Sequence, residues 1–147
     1  MFKHILVPTD GSKLSAKAER AAIKLAAATG ARVTALRVLP QTVYDVAGDA
    51  VVTRVLAPKE ARRIERNVAP TLFRRLQHGA ALAKVACTAR CVTDDDAWLG
   101  IVGAARRSHC DLIVMASHGR RGIAGVLLGS VAQKVLTHSS IPVLIYR

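Results

Sequence analysis

A glycine-rich segment near the end of the chain carries residues suited to holding a phosphate group. It follows Leu112 to Met115, an apolar run typical of a parallel strand that is covered on both faces. Gly119, Gly122, Gly125 and Gly129 occur in this segment. Because glycine has no Cβ, the backbone there can turn and approach a ligand closely. The pattern indicates a phosphate-binding loop.

An amphipathic helix is predicted to begin at Ser130 and to continue through Val131 and Leu136. The first N–H groups of a helix have no intrahelical acceptors, and they lie at the positive end of the helix dipole. A phosphate near residues 129–131 would therefore accept hydrogen bonds from the backbone. The Ser130 hydroxyl can bond the phosphate or cap its own helix, and the sequence leaves both roles open.

A second polar segment, Pro8-Thr9-Asp10, follows the first apolar run of the chain. Asp10 lies between a predicted strand and a predicted helix, where a carboxylate can accept ribose hydroxyls or help to hold a phosphate-bound metal ion. The alternative is an Asx turn or helix cap formed with Gly11. We favour the ligand role.

The order of elements predicts an α/β protein. Strands are expected at 2–8, 31–39, 85–92, 112–116 and 143–146, and helices at 12–30, 58–79, 97–108 and 130–138. Either Ser12 or Ser15 can cap the first helix, Pro70 should kink or divide the second, and the acidic residues 94–96 should cap the third. Residues 41–57 have no firm period, which fits either a mobile cover or a simple connection.

Alternating strands and helices require right-handed crossovers and a mainly parallel sheet with helices on both faces. The 147 residues are expected to form one domain, 1–147. In an open sheet of this kind, ligands bind beyond the carboxyl ends of the strands. The loops after the first and fourth strands are therefore the two candidate parts of a site.

Three segments in register resemble the universal stress protein family. They are His-Ile-Leu-Val-Pro-Thr-Asp-Gly-Ser at 4–12, Gly119 followed after nine residues by Gly129-Ser130, and Ile-Pro-Val-Leu-Ile at 141–145. The family's nucleotide loop reads Gly-x2-Gly-x9-Gly-Ser/Thr, and Ala116 stands here in place of its first glycine. The resemblance covers essentially the whole chain.

The resemblance implies a Rossmann-like, open, parallel five-stranded sheet of order 3-2-1-4-5. It also implies a homodimer formed through the last strand, Val143–Tyr146, and an adenine-facing position at Val38. The expected ligand is ATP or another adenine nucleotide, with any Mg²⁺ held mainly by the phosphates and by Asp10 as the best protein candidate. The predicted nucleotide site comprises Pro8, Thr9, Asp10, Val38, Met115, Ala116, Ser117, His118, Gly119, Arg120, Arg121, Gly129, Ser130 and Val131.

The expected role is that of a stress-response sensor or regulator acting through an unknown protein partner, not that of an enzyme. Arg120 and Arg121 can neutralise a triphosphate, but no nearby residue is an evident candidate for a general base. The sequence also has no P-loop and no nucleophile elbow, so ATP hydrolysis should be absent or very slow. The alternatives are a family member that binds no nucleotide, a slow ATPase, and a nucleic-acid-associated protein. Replacing Gly129 with valine should abolish nucleotide binding and leave the fold intact.

The amino-acid composition indicates which partners and which cellular compartment to expect. The formal net charge is +12, but the basic residues are dispersed and only 3% of residues are aromatic, which favours a solvated basic face over nucleic-acid binding. No apolar run approaches the roughly 20 residues of a membrane-spanning helix, and the chain is expected to lack a signal sequence. Cys87 and Cys91 should lie about 13 Å apart in a strand, too far to pair. We expect reduced thiols, no zinc site and a cytoplasmic location.

Overall fold

A computed structural model describes residues 1–48, 50–119 and 128–147. Five parallel strands form the main sheet, and two further strands form a separate antiparallel hairpin. The strands are β1 (His4–Pro8), β2 (Arg32–Leu39), β3 (Thr42–Ala47), β4 (Ala50–Val55), β5 (Cys87–Thr93), β6 (Leu112–Ala116) and β7 (Val143–Tyr146). The helices are α1 (Lys13–Thr29), α2 (Pro58–Leu82), α3 (Ala97–Arg107) and α4 (Ser130–His138).

The main sheet has the order β5-β2-β1-β6-β7. With the hairpin strands left out of the count, this is the predicted order 3-2-1-4-5, so the predicted fold class is confirmed. β1 is central, with Ile5 aligned with Val33 of β2 on one side and with Leu112 of β6 on the other. Two apolar clusters cover the two faces of the sheet, one containing Ile5 and Val7 and the other Leu6.

Residues 41–57, in which the sequence showed no firm period, have regular secondary structure. They contain the β3–β4 hairpin, in which Tyr44 lies opposite Thr53 and Val46 opposite Val51. Most side chains of β4 and several of β3 are exposed, so no core imposes an alternating pattern on the sequence. Asp95 ties the start of the hairpin to the main domain, because its carboxylate accepts hydrogen bonds from Gln41 N at 2.9 Å and Thr42 N at 2.7 Å.

α2 runs without division through Pro70 for 25 residues, three residues beyond the predicted end at Gly79. Pro70 removes one helical N–H donor, but packing of Phe73, Leu76 and Ala80 into the core holds the following turns. Pro70 was predicted to kink or divide the helix, and division does not occur. No helix in the described part of the chain combines the length and the apolar character needed to cross a membrane.

Helix capping follows the sequence in α1 but not in α3. The Ser12 hydroxyl accepts a hydrogen bond from Ser15 N, and Gly30 closes α1 with a φ of 69°. In α3 the N-cap is Asp96, but its side chain makes no capping hydrogen bond. Asp95 holds the hairpin instead, and Asp94 Oδ1 accepts from Asp96 N at 2.9 Å in a local turn. The predicted capping of α3 by these acidic side chains was thus wrong.

The three cysteines are free thiols, as predicted. Burial raises the pKa of Cys91 and of Cys110 to about 11, and it also raises the pKa of Cys87. At neutral pH all three are therefore protonated and behave as packing residues.

A row of polar side chains crosses the main sheet near the amino ends of its strands. His4 Nε2 and Thr34 Oγ1 share a hydrogen bond of 2.8 Å, and Thr34 Oγ1 and Thr88 Oγ1 are 3.1 Å apart. His4 and Thr34 are buried. Burial, and then the charge of Arg32, lower the pKa of His4 below its ordinary value of 6.5, with partial opposition from the nearby Ser108 carbonyl and from Asp111.

We expect the folded state to lose stability as the pH falls below about 6.5. Because the pKa of His4 is lower in the folded state, the unfolded chain binds the proton more readily. The contribution of neutral His4 to the free energy of unfolding is therefore complete above pH 6.5 and declines below it. Denaturant unfolding at pH 7.5 and 5.5 would show a smaller difference in unfolding free energy for His4→Gln than for the wild type. Equal differences in the two proteins would contradict the assignment to His4.

Candidate functional site

The loops after β1 and β6 meet at the carboxyl edge of the sheet, because these two strands are neighbours. The clearest contact is between Asp10 and Gly119. A Cβ built on Gly119 would lie 2.6 Å from Asp10 Oδ2, closer than real Cβ atoms approach an oxygen. Two sequence-predicted site residues that are 109 positions apart are thereby brought together, and glycine at 119 is what permits the approach.

Asp10 adopts the Asx turn that the sequence left open. Its Oδ1 accepts a hydrogen bond of 2.9 Å from Ser12 N, and Gly11 takes a φ of 78° to complete the turn. The turn fixes the carboxylate so that Oδ2 faces Gly119. A ligand role for Asp10 is compatible with this geometry and stays a prediction.

Thr9 is buried beneath the loop and anchors it to two elements of the fold. Its N–H donates to Leu36 O at 2.8 Å, and its hydroxyl donates to Glu19 Oε1 at 2.5 Å. Glu19 on α1 is itself buried and receives two hydrogen bonds of 2.9 Å from Arg75 Nε and Nη2 on α2. This Thr9–Glu19–Arg75 network fixes the floor of the candidate site.

Sequence reasoning missed Glu19 and Arg75. One signal for Glu19 was present: it lies at helical spacing with Ser15, Ala22 and Ala26, on the face of α1 that turns out to be buried. A charged residue on a buried helix face requires a partner. Nothing local identified Arg75 as that partner, because 56 positions separate the two residues.

The end of β6 is buried and tied to its surroundings. Met115, Ala116 and Ser117 are all buried, and Ser117 N donates to Tyr146 O of β7 at 2.9 Å. The Ser117 carbonyl accepts from Gly129 N at 2.7 Å. The two ends of the predicted phosphate loop are therefore held side by side, with the beginning of α4 next to the end of β6.

Ala116 ends β6 in a regular pair with Tyr146. Ala116 is buried, so its methyl group is accommodated at the carboxyl end of the strand. The replacement of the family's first glycine by alanine therefore leaves the strand and its pairing in place.

The N-cap of α4 is Gly129, which makes no side-chain capping hydrogen bond, and Ser130 is the first helical residue. Of the two roles left open for Ser130, capping of its own helix is therefore excluded, and Ser130 is exposed at the helix start. A Cβ on Gly129 would lie 3.2 Å from both His118 Cα and Ser117 O. Valine at 129 would press on this backbone, so it would disturb the loop in addition to any ligand.

Val38 packs against α3 more tightly than the sequence suggested. A Cβ on Gly100 would lie 2.8 Å from Val38 Cγ1, so a glycine in α3 is what lets the helix approach the end of β2. The side chain of Val38 thus packs against the core, and the adenine contact expected at this position stays a prediction. His118 is half-buried, with its Nδ1 3.1 Å from Ser117 Oγ.

Arg120, Arg121, Gly122 and Gly125 lie outside the described residues. Two cavities of about 360 and 330 Å³ occur elsewhere, and no predicted nucleotide-site residue lines either of them. Among the residues that the structure describes, no group of three or more His, Cys, Asp and Glu side chains is placed to hold a metal ion.

Comparison with known proteins identifies the family. The model of the universal stress protein family matches residues 1–147. Universal stress protein YxiE of Bacillus subtilis is 32% identical over 151 residues, with all of both chains covered. The chain therefore belongs to the universal stress protein family, and the predicted resemblance is confirmed.

Solved structures of the family have the same fold. The universal stress protein UspA from Lactobacillus plantarum gives a TM-score of 0.78 at 23% identity, covering 99% of this chain and 97% of that one. A universal stress protein in complex with cAMP gives 0.72 at 25% identity, with coverage of 99% and 97%. One from Archaeoglobus fulgidus in complex with dAMP gives 0.69 at 17% identity, with coverage of 99% and 98%.

Proposed function

We propose that this protein binds ATP or another adenine nucleotide at the carboxyl edge of the sheet and acts as a regulator in the stress response. The observation that carries the proposal is the contact between Asp10 and Gly119, beside the start of α4. The Asp10 carboxylate can accept hydrogen bonds from ribose hydroxyls. The backbone N–H groups at the start of α4 can donate to phosphate. The fold places this pair where open α/β sheets bind ligands.

Each part of the nucleotide has a proposed counterpart in the site. The phosphates lie at residues 129–131, where Gly129 provides no capping side chain to compete for the first N–H groups of α4. The ribose lies at Asp10, and the adenine contacts the backbone at Val38. Any Mg²⁺ is held mainly by the phosphates, with Asp10 as its candidate protein ligand.

Two related structures support the choice of an adenine nucleotide. One universal stress protein was solved with cAMP and another with dAMP. Both ligands contain adenine, a pentose and a single phosphate. We propose that this chain recognises the same three groups and that a longer phosphate chain lies near Gly119 and the start of α4.

The thermal stability of the protein tests this proposal. ATP at about 100 times its dissociation constant should stabilise the native state by about 2.7 kcal/mol, because only the folded chain binds it. For a chain of this size we expect Tm to rise by roughly 5–10 °C. Differential scanning fluorimetry with ATP, ADP, AMP and GTP would measure the shift. An unchanged Tm with every adenine nucleotide at millimolar concentration would favour the family member that binds none.

We propose binding without appreciable hydrolysis. Phosphoryl transfer to water requires a group that orients or deprotonates the attacking water. Of the carboxylates described at this edge, Glu19 is buried and bonded to Arg75 and Thr9, and Asp10 Oδ1 is occupied in its turn. Binding that is equal in ground state and transition state does not accelerate the reaction.

We propose the β3–β4 hairpin as the surface through which the protein contacts a partner. Tyr44, Val46, Val51 and Val55 lie on one face of it and are exposed. Exposed apolar patches of this kind are typical of protein interaction surfaces. We propose a cytoplasmic setting, in which the three thiols stay reduced.

We further propose a homodimer formed through β7, which is an edge strand of the described sheet. Leu144 and Tyr146 are exposed, whereas Val143 and Ile145 pack on the core. A charge at Leu144 should therefore disturb the dimer with little effect on the fold.

The Leu144→Lys variant should elute as a monomer of about 16 kDa, half the mass of the wild-type dimer. Light scattering at tens of micromolar protein would measure both masses. Leu82→Lys is the matched control, because Leu82 is exposed at the end of α2. A wild type that is already monomeric, or a Leu144→Lys variant that stays dimeric, would refute the β7 interface.

A further inference from the structure

A cavity of about 360 Å³ opens at the amino ends of the strands, at the edge of the sheet opposite the candidate nucleotide site. Its lining residues come from β1, β2, β5 and α3 and the segments that flank them. They are His4, Arg32, Val33, Thr34, Ala86, Thr88, Arg90, Arg107 and Ser108. The volume lies within the usual range of small-molecule pockets.

Three arginines from separate elements converge on this cavity. Arg32 begins β2, Arg90 belongs to β5, and Arg107 lies in the last turn of α3. None of the ion pairs found among the described residues involves any of the three. None of the lining residues is acidic, and the carboxylate of Asp111, next to His4, accepts the N–H groups of Lys3 and His4. The cavity therefore has an excess of positive charge.

The cavity wall also carries buried polar groups. His4 and Thr34 are more than nine-tenths buried, and with Thr88 they form the hydrogen-bonded row described above. Ser108 Oγ is buried and has no hydrogen-bond partner among the described residues. His4 Nδ1 also lacks a partner of adequate geometry, although it lies near the Ser108 carbonyl. A buried hydroxyl without a partner is destabilising unless a ligand or water satisfies it.

We propose that this cavity binds a small molecule that carries a phosphate group. Phosphate is a multiply charged acceptor, and the planar guanidinium groups of arginine donate to it in pairs. The Thr88 and Ser108 hydroxyls supply further donors. The volume exceeds that of a phosphate alone, so the cavity also has room for the remainder of the ligand.

The alternative is that these arginines belong to the general solvated basic surface of a chain with net charge +12. That surface would attract any anion, more weakly as the ionic strength rises, and the attraction would not depend on particular arginines. Testing particular arginines also separates the proposed site from nucleic-acid binding, which would depend on the charge density along the nucleic-acid backbone.

Pyrophosphate is a suitable probe, titrated into isotopically labelled protein with sodium chloride adjusted to keep the ionic strength constant. Backbone amide shifts at Thr34, Thr88 and Ser108 should change and reach saturation. Arg90→Gln combined with Arg107→Gln should weaken the affinity by about tenfold or more. Arg66→Gln combined with Arg74→Gln is the matched control, because both residues are exposed on α2 and the change in net charge is the same.

Three outcomes would overturn the proposal. The first is a lack of saturable shifts at the cavity. The second is an equal loss of affinity in both double variants, which would indicate general electrostatic attraction. If duplex DNA alone shifted the same amide resonances, the surface would be one that binds nucleic acid. The third is a response confined to Ser130 and Val131, which would report the proposed nucleotide site and leave that proposal standing.

Discussion

Arg75→Ala is expected to destabilise the protein by about 3 kcal/mol, at the lower end of the effect of breaking a buried ion pair. The substitution leaves the Glu19 carboxylate, whose side chain is 2% exposed, with the Thr9 hydroxyl as its remaining partner in this network. The Arg75 side chain is 47% exposed, so water reaches its position and limits the loss. Chemical denaturation would measure the free energy of unfolding, and Tm should fall by roughly 6–12 °C.

Arg74→Ala provides the control for this experiment, because Arg74 is the exposed neighbour on the same helix. Its effect should lie within about 0.5 kcal/mol of zero. Replacing both members of the pair, Glu19→Leu with Arg75→Met, should recover most of the loss, since no buried charge remains unpaired. If Arg75→Ala were as mild as Arg74→Ala, the network would not support the floor of the site.

Gly119→Ala is expected to weaken adenine-nucleotide binding by about tenfold or more, equivalent to about 1.4 kcal/mol. The added methyl group would lie 2.6 Å from Asp10 Oδ2, so the carboxylate must rotate away from its place in the site. The fold should tolerate the change, because the displaced atom is the end of a side chain and Gly119 does not have a positive φ. Competition titration with a fluorescent ATP analogue would measure the loss.

Gly103→Ala is the matched control for the nucleotide measurement. A Cβ there would lie 2.9 Å from Arg107 Nη1, again the end of a flexible side chain, but on α3 and away from the loops of the site. It should leave the affinity unchanged. Equal affinities for the wild type and Gly119→Ala would mean that Asp10 does not contact the nucleotide.

The parts of the fold that were predictable are those whose signals are local. β6 is buried along its whole length, so an apolar run of five residues identified it. The start and end of α1 were marked by Ser12 and Gly30, whose capping chemistry depends on a few adjacent residues. The order of the strands came from the resemblance to the family, since the alternation of elements alone permits several orders.

The parts that were missed depend on contacts between distant residues or on the lack of a buried face. The β3–β4 hairpin has exposed side chains, so no core imposed a period of two. Glu19 and Arg75 meet only after α1 and α2 have packed together. Asp95 was expected to help cap α3, but the fold brings Thr42 close enough for its hydroxyl to donate a hydrogen bond to the Asp95 carboxylate. In each case tertiary structure decided among locally acceptable alternatives.

The central claim is that one adenine nucleotide binds at the edge formed by Asp10, Gly119 and the start of α4. Isothermal titration calorimetry of ATP into the purified protein tests it most directly. We predict a saturable heat with one nucleotide per chain, lost or strongly weakened in Gly119→Ala and retained in Gly103→Ala. Absence of a saturable heat for ATP, ADP and AMP at millimolar concentration, with a correctly folded protein, would contradict the account.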